Sequence, residues 1–229
     1  MFYREAGQFK TSYKKDQSIL PIFQDRIAMA AMLIFCFIVI PLFANDYWLA
    51  SILVPFLALS LAALGLNVLT GYAGQISLGT AAFMAVGAFA AFNLQVRVPE
   101  IPFLIAFLWG GFCAAGVGIL FGLPSLRIKG FYLAVATLAA QFFIEWLFTH
   151  FDWFTNYSTS GVITAPPMTL LGMAIDNPLS KYFLVLSIVV ICAFFVRNLA
   201  RSEIGRAWMA VRDMDIAAEI IGVNPLMAK

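Results

Sequence analysis

The sequence predicts an all-α fold: a polytopic transmembrane helix bundle of about six spans, followed by a polar amphipathic helix near the C-terminus. Three observations carry this. Hydrophobic residues make up 62% of the 229 and charged residues only 11%, against about 25% charged in an average soluble domain. The apolar residues fall into long runs, and the chain has room for roughly six helices of about 20 residues, each rising about 1.5 Å per residue across a core of about 30 Å. Lysine and arginine are distributed with a strong bias between alternate connections. The organisation read from these features is a polar leader (1–26), a membrane bundle (27–200) and a polar tail (201–229).

Met1 to Arg26 is polar, with Arg4, Lys10, Lys14, Lys15 and Arg26 outnumbering Glu5, Asp16 and Asp25. About 26 polar residues ahead of the first span, with no small-residue cleavage site after it, argue against a secretory signal. The first span is Ile27 to Phe43, closed by Pro41 and Asn45-Asp46, with Tyr47 and Trp48 as interfacial aromatics. The second runs from Trp48 to Thr70. The third, from about Ile76 to Val96 after the turn Gly71-Tyr72-Ala73-Gly74, is crowded with glycine, alanine, serine and threonine. Small residues let backbones approach closely, so this helix belongs in the middle of the bundle, with Gly79 and Gly87 on its packing surface. In the fourth span, Phe103 to Leu123, Gly110, Ala114, Gly118 and Gly122 recur every four residues and are expected to form one close-packing ridge. Gly130 to Thr149 is the fifth span and Lys181 to Val196 the sixth, separated by a long connection rich in aromatics, proline and turn residues.

With six spans and the leader inside, the inner segments hold twelve lysines and arginines (Arg4, Lys10, Lys14, Lys15, Arg26, Arg127, Lys129, Arg197, Arg201, Arg206, Arg212 and Lys229). The outer loops hold two, Arg97 and Lys181. The positive-inside rule then puts the leader and the tail in the cytoplasm and the aromatic loop outside.

Polar residues at membrane depth need partners or water. Asn67, Thr70, Gln75 and Ser77 lie just before or within the third run, and Thr137, Gln141, Glu145 and Thr149 lie four apart on the fifth. The second set is expected to share one helix face. Asn67, Gln75, Ser77, Thr137, Gln141 and Glu145 are therefore the candidate lining of a path for a polar solute, with Glu145 near its outer mouth; the competing reading is an interhelical or interfacial carboxylate. In the tail, Ile204, Trp208, Val211, Met214, Ala218 and Ile221 recur at spacings of three and four, an amphipathic helix ended by Gly222 and Pro225. Its mixed charges favour a protein partner over a lipid surface.

Several classes are excluded or disfavoured. A net charge of +2 does not suggest nucleic acid. Cys36, Cys113 and Cys192 all fall inside apolar runs, which argues against a disulfide framework or a metal cluster and for inert thiols. One histidine, His150, beside Asp152 makes neither a metal site nor a catalytic triad. No G-x-x-x-x-G-K-[ST] sequence occurs, so no phosphate-binding loop is carried by this chain.

Three stretches in order, LNVLTGYAGQISLGTAAFMAVGAFAA from Leu66, LRIKGFYLAVATLAA from Leu126 and IGRAWMAVRDMDIAAEIIGV from Ile204, resemble the inner-membrane permease subunits of bacterial ATP-binding-cassette importers for branched-chain amino acids, the LivH/LivM type, and the LivM-like member more closely. The resemblance implies a non-enzymatic transport subunit in the bacterial inner membrane, multi-pass, with a cytoplasmic N-terminus. Its implied partners are a second homologous permease, two cytoplasmic ATPase subunits that hold ATP and magnesium, and an external substrate-binding protein. It further implies that Arg206 to Gly222 forms a coupling helix for the ATPase, with Arg206, Trp208, Arg212, Asp213, Ala217, Ala218, Glu219 and Gly222 as contact residues. Members of the family usually continue with further spans after this loop, so a chain ending at Lys229 is expected to be a truncated reading of a longer permease. The rival expectations are an ion-coupled secondary transporter that uses Glu145, a membrane enzyme that needs His150, and an inactive fragment.

Overall fold

In a computed structural model, the structure describes residues 11–12, 23–126, 132–157, 169–170 and 173–225. Most of the predicted leader, Arg127, Lys129 and residues 158–168 and 171–172 of the long aromatic connection lie outside the described residues. The first long helix, α1, is Phe23–Phe43, and α2 is Trp48–Tyr72. They are followed by α3 (Thr80–Arg97), α4 (Phe103–Leu126) and α5 (Tyr132–His150). A two-residue antiparallel pair, β1 (Thr169–Leu170) and β2 (Met173–Ala174), leads into α6 (Pro178–Arg201), α7 (Glu203–Asp213) and α8 (Asp215–Ile220). Among the described residues, α1, α2, α4, α5 and α6 are long and apolar enough to cross a membrane.

The remaining expected span, third in the chain, is α3, and it differs from the others. It starts at Thr80, four residues later than expected, and it is 18 residues long. Thr80, Asn93, Gln95 and Arg97 make it less apolar. Along its length only Ala81, Met84, Ala88 and Arg97 are exposed. A helix covered by its neighbours gains nothing from large lipid-facing side chains, which accounts for its small-residue composition.

Widened turns interrupt the first two helices, at Phe35–Val39 in α1 and Trp48–Leu53 in α2. Each lies just ahead of a proline, Pro41 and Pro55. Proline lacks the N–H that would bond four residues back and crowds that carbonyl, so the helix is locally unwound. In α1 one carbonyl near the defect finds another donor: Tyr182 Oη on α6 donates to the Cys36 carbonyl at 2.9 Å.

The helices bury their side chains in two groups. Leu49, Leu57, Tyr182 and Leu186 unite α1, α2 and α6, with Phe37 stacked on Phe183. Ala82, Val86, Ala140, Ile144 and Phe148 unite α3 and α5, with Cys113, Ala114 and Val117 of α4 against them. Phe89 of α3 stacks on Phe148 of α5 at a centroid distance of 4.2 Å. The three cysteines are free and only half-buried.

Two of the expected packing glycines meet directly. A Cβ on Gly87 would lie 3.5 Å from the Gly110 carbonyl, and one on Gly110 would collide with the Gly87 carbonyl and lie 3.2 Å from Ala91 Cβ. The expected ridge on α4 runs on through Ala114, whose Cβ would lie 3.8 Å from a Cβ on Gly87, and no further. A Cβ on Gly118 or Gly122 would meet no other part of the described residues within 4 Å, because α4 packs on α3 around Gly110 and its later turns turn that row outward.

Filling the Gly87–Gly110 contact should be far more damaging than filling the open part of α4. Gly110→Leu is expected to lower stability by about 1–3 kcal/mol through overpacking, while Gly118→Leu stays within about 0.5 kcal/mol; thermal unfolding of the detergent-solubilised variants measures both, and equal losses would contradict the packing. Tyr182→Phe should cost about 0.6–1 kcal/mol by removing the bond to the Cys36 carbonyl, read in the same assay.

Candidate functional site

The site is built on a break between two helices. At the end of α2 the backbone first widens, with Ala73 N–H bonding the Val68 carbonyl at 3.1 Å and Gln75 N–H reaching back to the Leu69 carbonyl at 3.0 Å. Gly74 then takes φ +67°, a left-handed conformation that favours glycine, and residues 74–79 run without helical bonding until Thr80. Irregular backbone at membrane depth is tolerated only where its polar groups are met by protein or water. Here α5 supplies the partner. Leu78 N–H donates to Thr137 Oγ1 at 3.0 Å, and the Thr137 hydroxyl donates in turn to a carbonyl of its own helix, Leu133 at 2.9 Å or Ala134 at 3.1 Å. The fit is close: a Cβ on Gly79 would lie 2.6 Å from the Thr137 carbonyl oxygen. Ser77 and Thr137 are 7% and 4% exposed, two of the buried polar residues of the bundle.

The candidate path residues are thus gathered only in part. Ser77 and Thr137 come together, Gln75 and Gln141 are half-buried, and Asn67 and Glu145 are exposed on the surface of the chain. The expectation that Thr137, Gln141, Glu145 and Thr149 share one face is corrected. The buried side of α5 is Ala134, Thr137, Ala140, Ile144 and Phe148, a mixture of three- and four-residue steps. Steps of four alone advance about 40° each around a helix of 3.6 residues per turn, so the polar row leaves the interface by Glu145. Thr149 Oγ1 spends its proton on its own helix, at Glu145 or Trp146. His150 Nδ1 lies 3.2 Å from the Trp146 carbonyl and its ring stacks on Trp146. No group of His, Cys, Asp or Glu that could hold a metal ion occurs among the described residues.

The polar tail folds as two helices where one was expected. Ser202 caps α7, accepting from Gly205 N–H at 3.5 Å, and Gly205 is required because a Cβ there would collide with the Ala200 backbone. Met214 is extended between α7 and α8. It is flanked by Asp213 and Asp215, and aspartate competes with helical bonding through its side chain: Asp215 Oδ1 accepts from Ile216 N–H at 2.9 Å. Gly222, at φ +93°, ends α8. Its N–H bonds the Glu219 carbonyl and the Val223 N–H bonds the Ala218 carbonyl, each at 3.0 Å, the paired pattern of a glycine helix stop.

This break divides the expected apolar face of the tail. Val211 and Ala218 are buried, while Ile204, Met214 and Ile221 are exposed, joined by Ile216 and Ile220 at 67% and 81%. Arg206, Ala217 and Glu219 are exposed and Trp208 is half-buried; Arg206 Nη1 also donates to the Arg201 carbonyl at 3.2 Å. Arg212 turns inward. Its Nε and Nη2 hold Asp213 Oδ1 at 2.9 and 2.8 Å, and its Nη1 donates to the Gly71 carbonyl at the end of α2. Ala73, Gly74 and residues 211–216 line an open cleft of about 370 Å³ at this junction.

At the opposite end of α3 the structure gathers residues that the sequence reading passed over. Asn93, buried, donates through Nδ2 to its own helix at the Phe89 carbonyl (2.9 Å) and to the Phe154 carbonyl in the aromatic loop (3.0 Å). Arg97 bonds Asn93 Oδ1 at 3.3 Å and the Trp153 carbonyl at 3.2 Å, and its guanidinium carbon lies 3.7 Å from the centre of the Trp153 ring. A signal for the pair existed: an asparagine inside an apolar run, four residues before an arginine and therefore on the same face.

Comparison with known proteins agrees with this architecture. Residues 48–229 match the family model described as branched-chain amino acid transport system / permease component. The chain is 30% identical over 189 residues to the high-affinity branched-chain amino acid transport system permease protein LivM of Escherichia coli (strain K12), and equally to LivM of Salmonella typhimurium (strain LT2). In each case the match covers 72% of this chain and 44% of the relative, so the chain spans less than half the length of these relatives. No solved structure matches. The match takes in α2 through α8, both sides of the break at 74–79 and the whole helical tail, and on it the chain belongs to the permease component family of the branched-chain amino acid transport systems, as a multi-pass membrane protein.

Proposed function

We propose that this chain forms the membrane path of an ATP-driven importer for branched-chain amino acids or a related small polar solute, with ATP and magnesium bound by separate subunits. The observation that carries the reading is the helical tail. Five large apolar residues in and around α7 and α8, Ile204, Met214, Ile216, Ile220 and Ile221, stand exposed beyond the end of α6, outside any segment long enough to cross the bilayer. Such a patch marks a protein docking surface, and its place in the family match supports a cytoplasmic ATPase as the occupant. With the tail inside, the positive-inside count puts the N-terminus in the cytoplasm as well.

The remaining partners follow the same logic. Glu145 is exposed on α5 about a turn from its end, and a carboxylate facing lipid is costly; a second homologous permease packed on this face would cover it and bring it toward a shared path. The exposed aromatic rings of Phe151, Trp153 and Tyr157, held on a loop by Asn93 and Arg97, suit contact with an external binding protein that delivers the solute. Gln75 and Ser77 lie within the break and Thr137 faces it, where a bound solute and the Leu78 N–H would compete for the Thr137 hydroxyl.

Two outcomes follow from this reading. Full-length protein solubilised with candidate ATPase subunits should co-purify with them, and Ile216→Asp with Ile220→Asp should reduce recovery at least about tenfold; failure of the wild type to retain any ATPase would sink the coupling assignment. In vesicles holding the assembled importer, Thr137→Val should depress uptake about tenfold by leaving the Leu78 N–H unpaired, and Thr137→Ser should restore most of it. Equal uptake in all three would remove Thr137 from the working site.

A further inference from the structure

We propose that Arg212 is the joint through which the tail pulls on the broken segment 73–79, and hence on the contact between Ser77–Gly79 and α5. This rests on the reading above that α7 and α8 receive the ATPase. The segment is one of two covalent links between the two buried groups of helices, the other being the connection from α5 to α6: it leaves α2, packed with α1 and α6, and enters α3, packed with α4 and α5. At its far end it is fastened to α5 by Leu78 N–H on Thr137. At its near end Arg212 fastens it to the tail.

The geometry at the near end is specific in three ways. Both Nε and Nη2 rest on one oxygen of Asp213, which fixes the plane of the guanidinium and leaves Nη1 aimed at Gly71. The Gly71 carbonyl belongs to the last turn of α2, where helical N–H partners run out, so the arginine meets an acceptor the helix itself does not serve. The aliphatic stem of Arg212 lies in the space that a side chain on Gly74 would occupy: a Cβ there would collide with Cγ and sit 3.2 and 3.3 Å from Cβ and Cδ. Glycine at 74 thus serves both the positive φ and the seating of the stem. Charge and shape both key the tail to the segment, so displacement of α7 must either carry residues 71–74 with it or break the bond to Gly71 and the seat at Gly74 together.

Hydrogen exchange on the full-length protein in lipid nanodiscs tests the joint without any assumption about transport. Arg212→Ala should speed exchange of the Ile76–Gly79 amides about tenfold, and Gly74→Ala, which evicts the stem while keeping the charge, should do the same; unchanged exchange in both would overturn the proposal. In the assembled importer the ratio of solute moved to ATP hydrolysed should fall several-fold for Arg212→Ala and recover in part in Arg212→Lys, which can reach one carbonyl but cannot be planted on Asp213. A proportional fall in both activities would mean simple misfolding and would overturn the joint. A wild-type complex that hydrolyses ATP without moving solute would overturn the transport reading instead, and the exchange result would still decide the joint.

Discussion

A backbone that leaves a helix inside a bundle exposes polar groups that lipid cannot satisfy, and each group left bare is costly on the scale of several kcal/mol. The hydrogen bond from Leu78 N–H to Thr137 Oγ1 answers that constraint for the break between α2 and α3. Much of the arrangement is subordinate to it. Thr137 has to face inward at 4% exposure, which sets the rotation of α5. Gly79 has to lack a side chain so that the segment can lie on the Thr137 backbone. Thr80 can begin α3 only after the segment has reached α5, and this places the Gly87–Gly110 crossing at its level in the bundle.

The two buried groups, α1–α2–α6 and α3–α4–α5, are each held by close apolar packing, whereas the segment 73–79 between them is held by a few directional contacts. Dense apolar packing resists gradual deformation, so relative movement of the groups would be taken up at their connections, residues 73–79 among them. Alternating access built on this fold would then be a choice between discrete arrangements of a short, hydrogen-bonded connector, with each group moving as a body.

Much of this was legible in the sequence because hydrophobicity and small-residue content report local burial. The run from Leu66 to Asn93 was readable as a tightly packed central element with a polar approach, and α3 lies at the centre of its group. The spans were placed to within a few residues, and α6 is longer than expected at both ends because Pro178 is a favourable helix start and Asn198 to Arg201 remain helical outside the apolar run. Rotation was less readable. A four-residue polar spacing put Glu145 on the face of Thr137, and only the accumulated drift of the helix separates them. The tail's periodicity read each half as helical but missed the break at Met214, where Asp215 takes up a backbone N–H. Arg212 looked like a surface charge for a partner, since nothing in its neighbours indicates that Gly71 and Gly74, some 140 residues earlier, lie against it.

The clasp at the outer end of α3 has a consequence of another kind. Asn93 and Arg97 hold the aromatic loop by the carbonyl oxygens of Phe154 and Trp153, atoms that every amino acid possesses. Two rings add a side-chain component: Trp153 lies under the guanidinium, and Phe154 packs edge-on against Phe148 at 4.9 Å. Anchorage and identity are therefore largely separable in this loop: away from Trp153 and Phe154, the side chains at 151–157 are free to diverge and acquire new binding surfaces while the loop keeps its seat, but Asn93, whose carboxamide engages both the helix and the loop, is not.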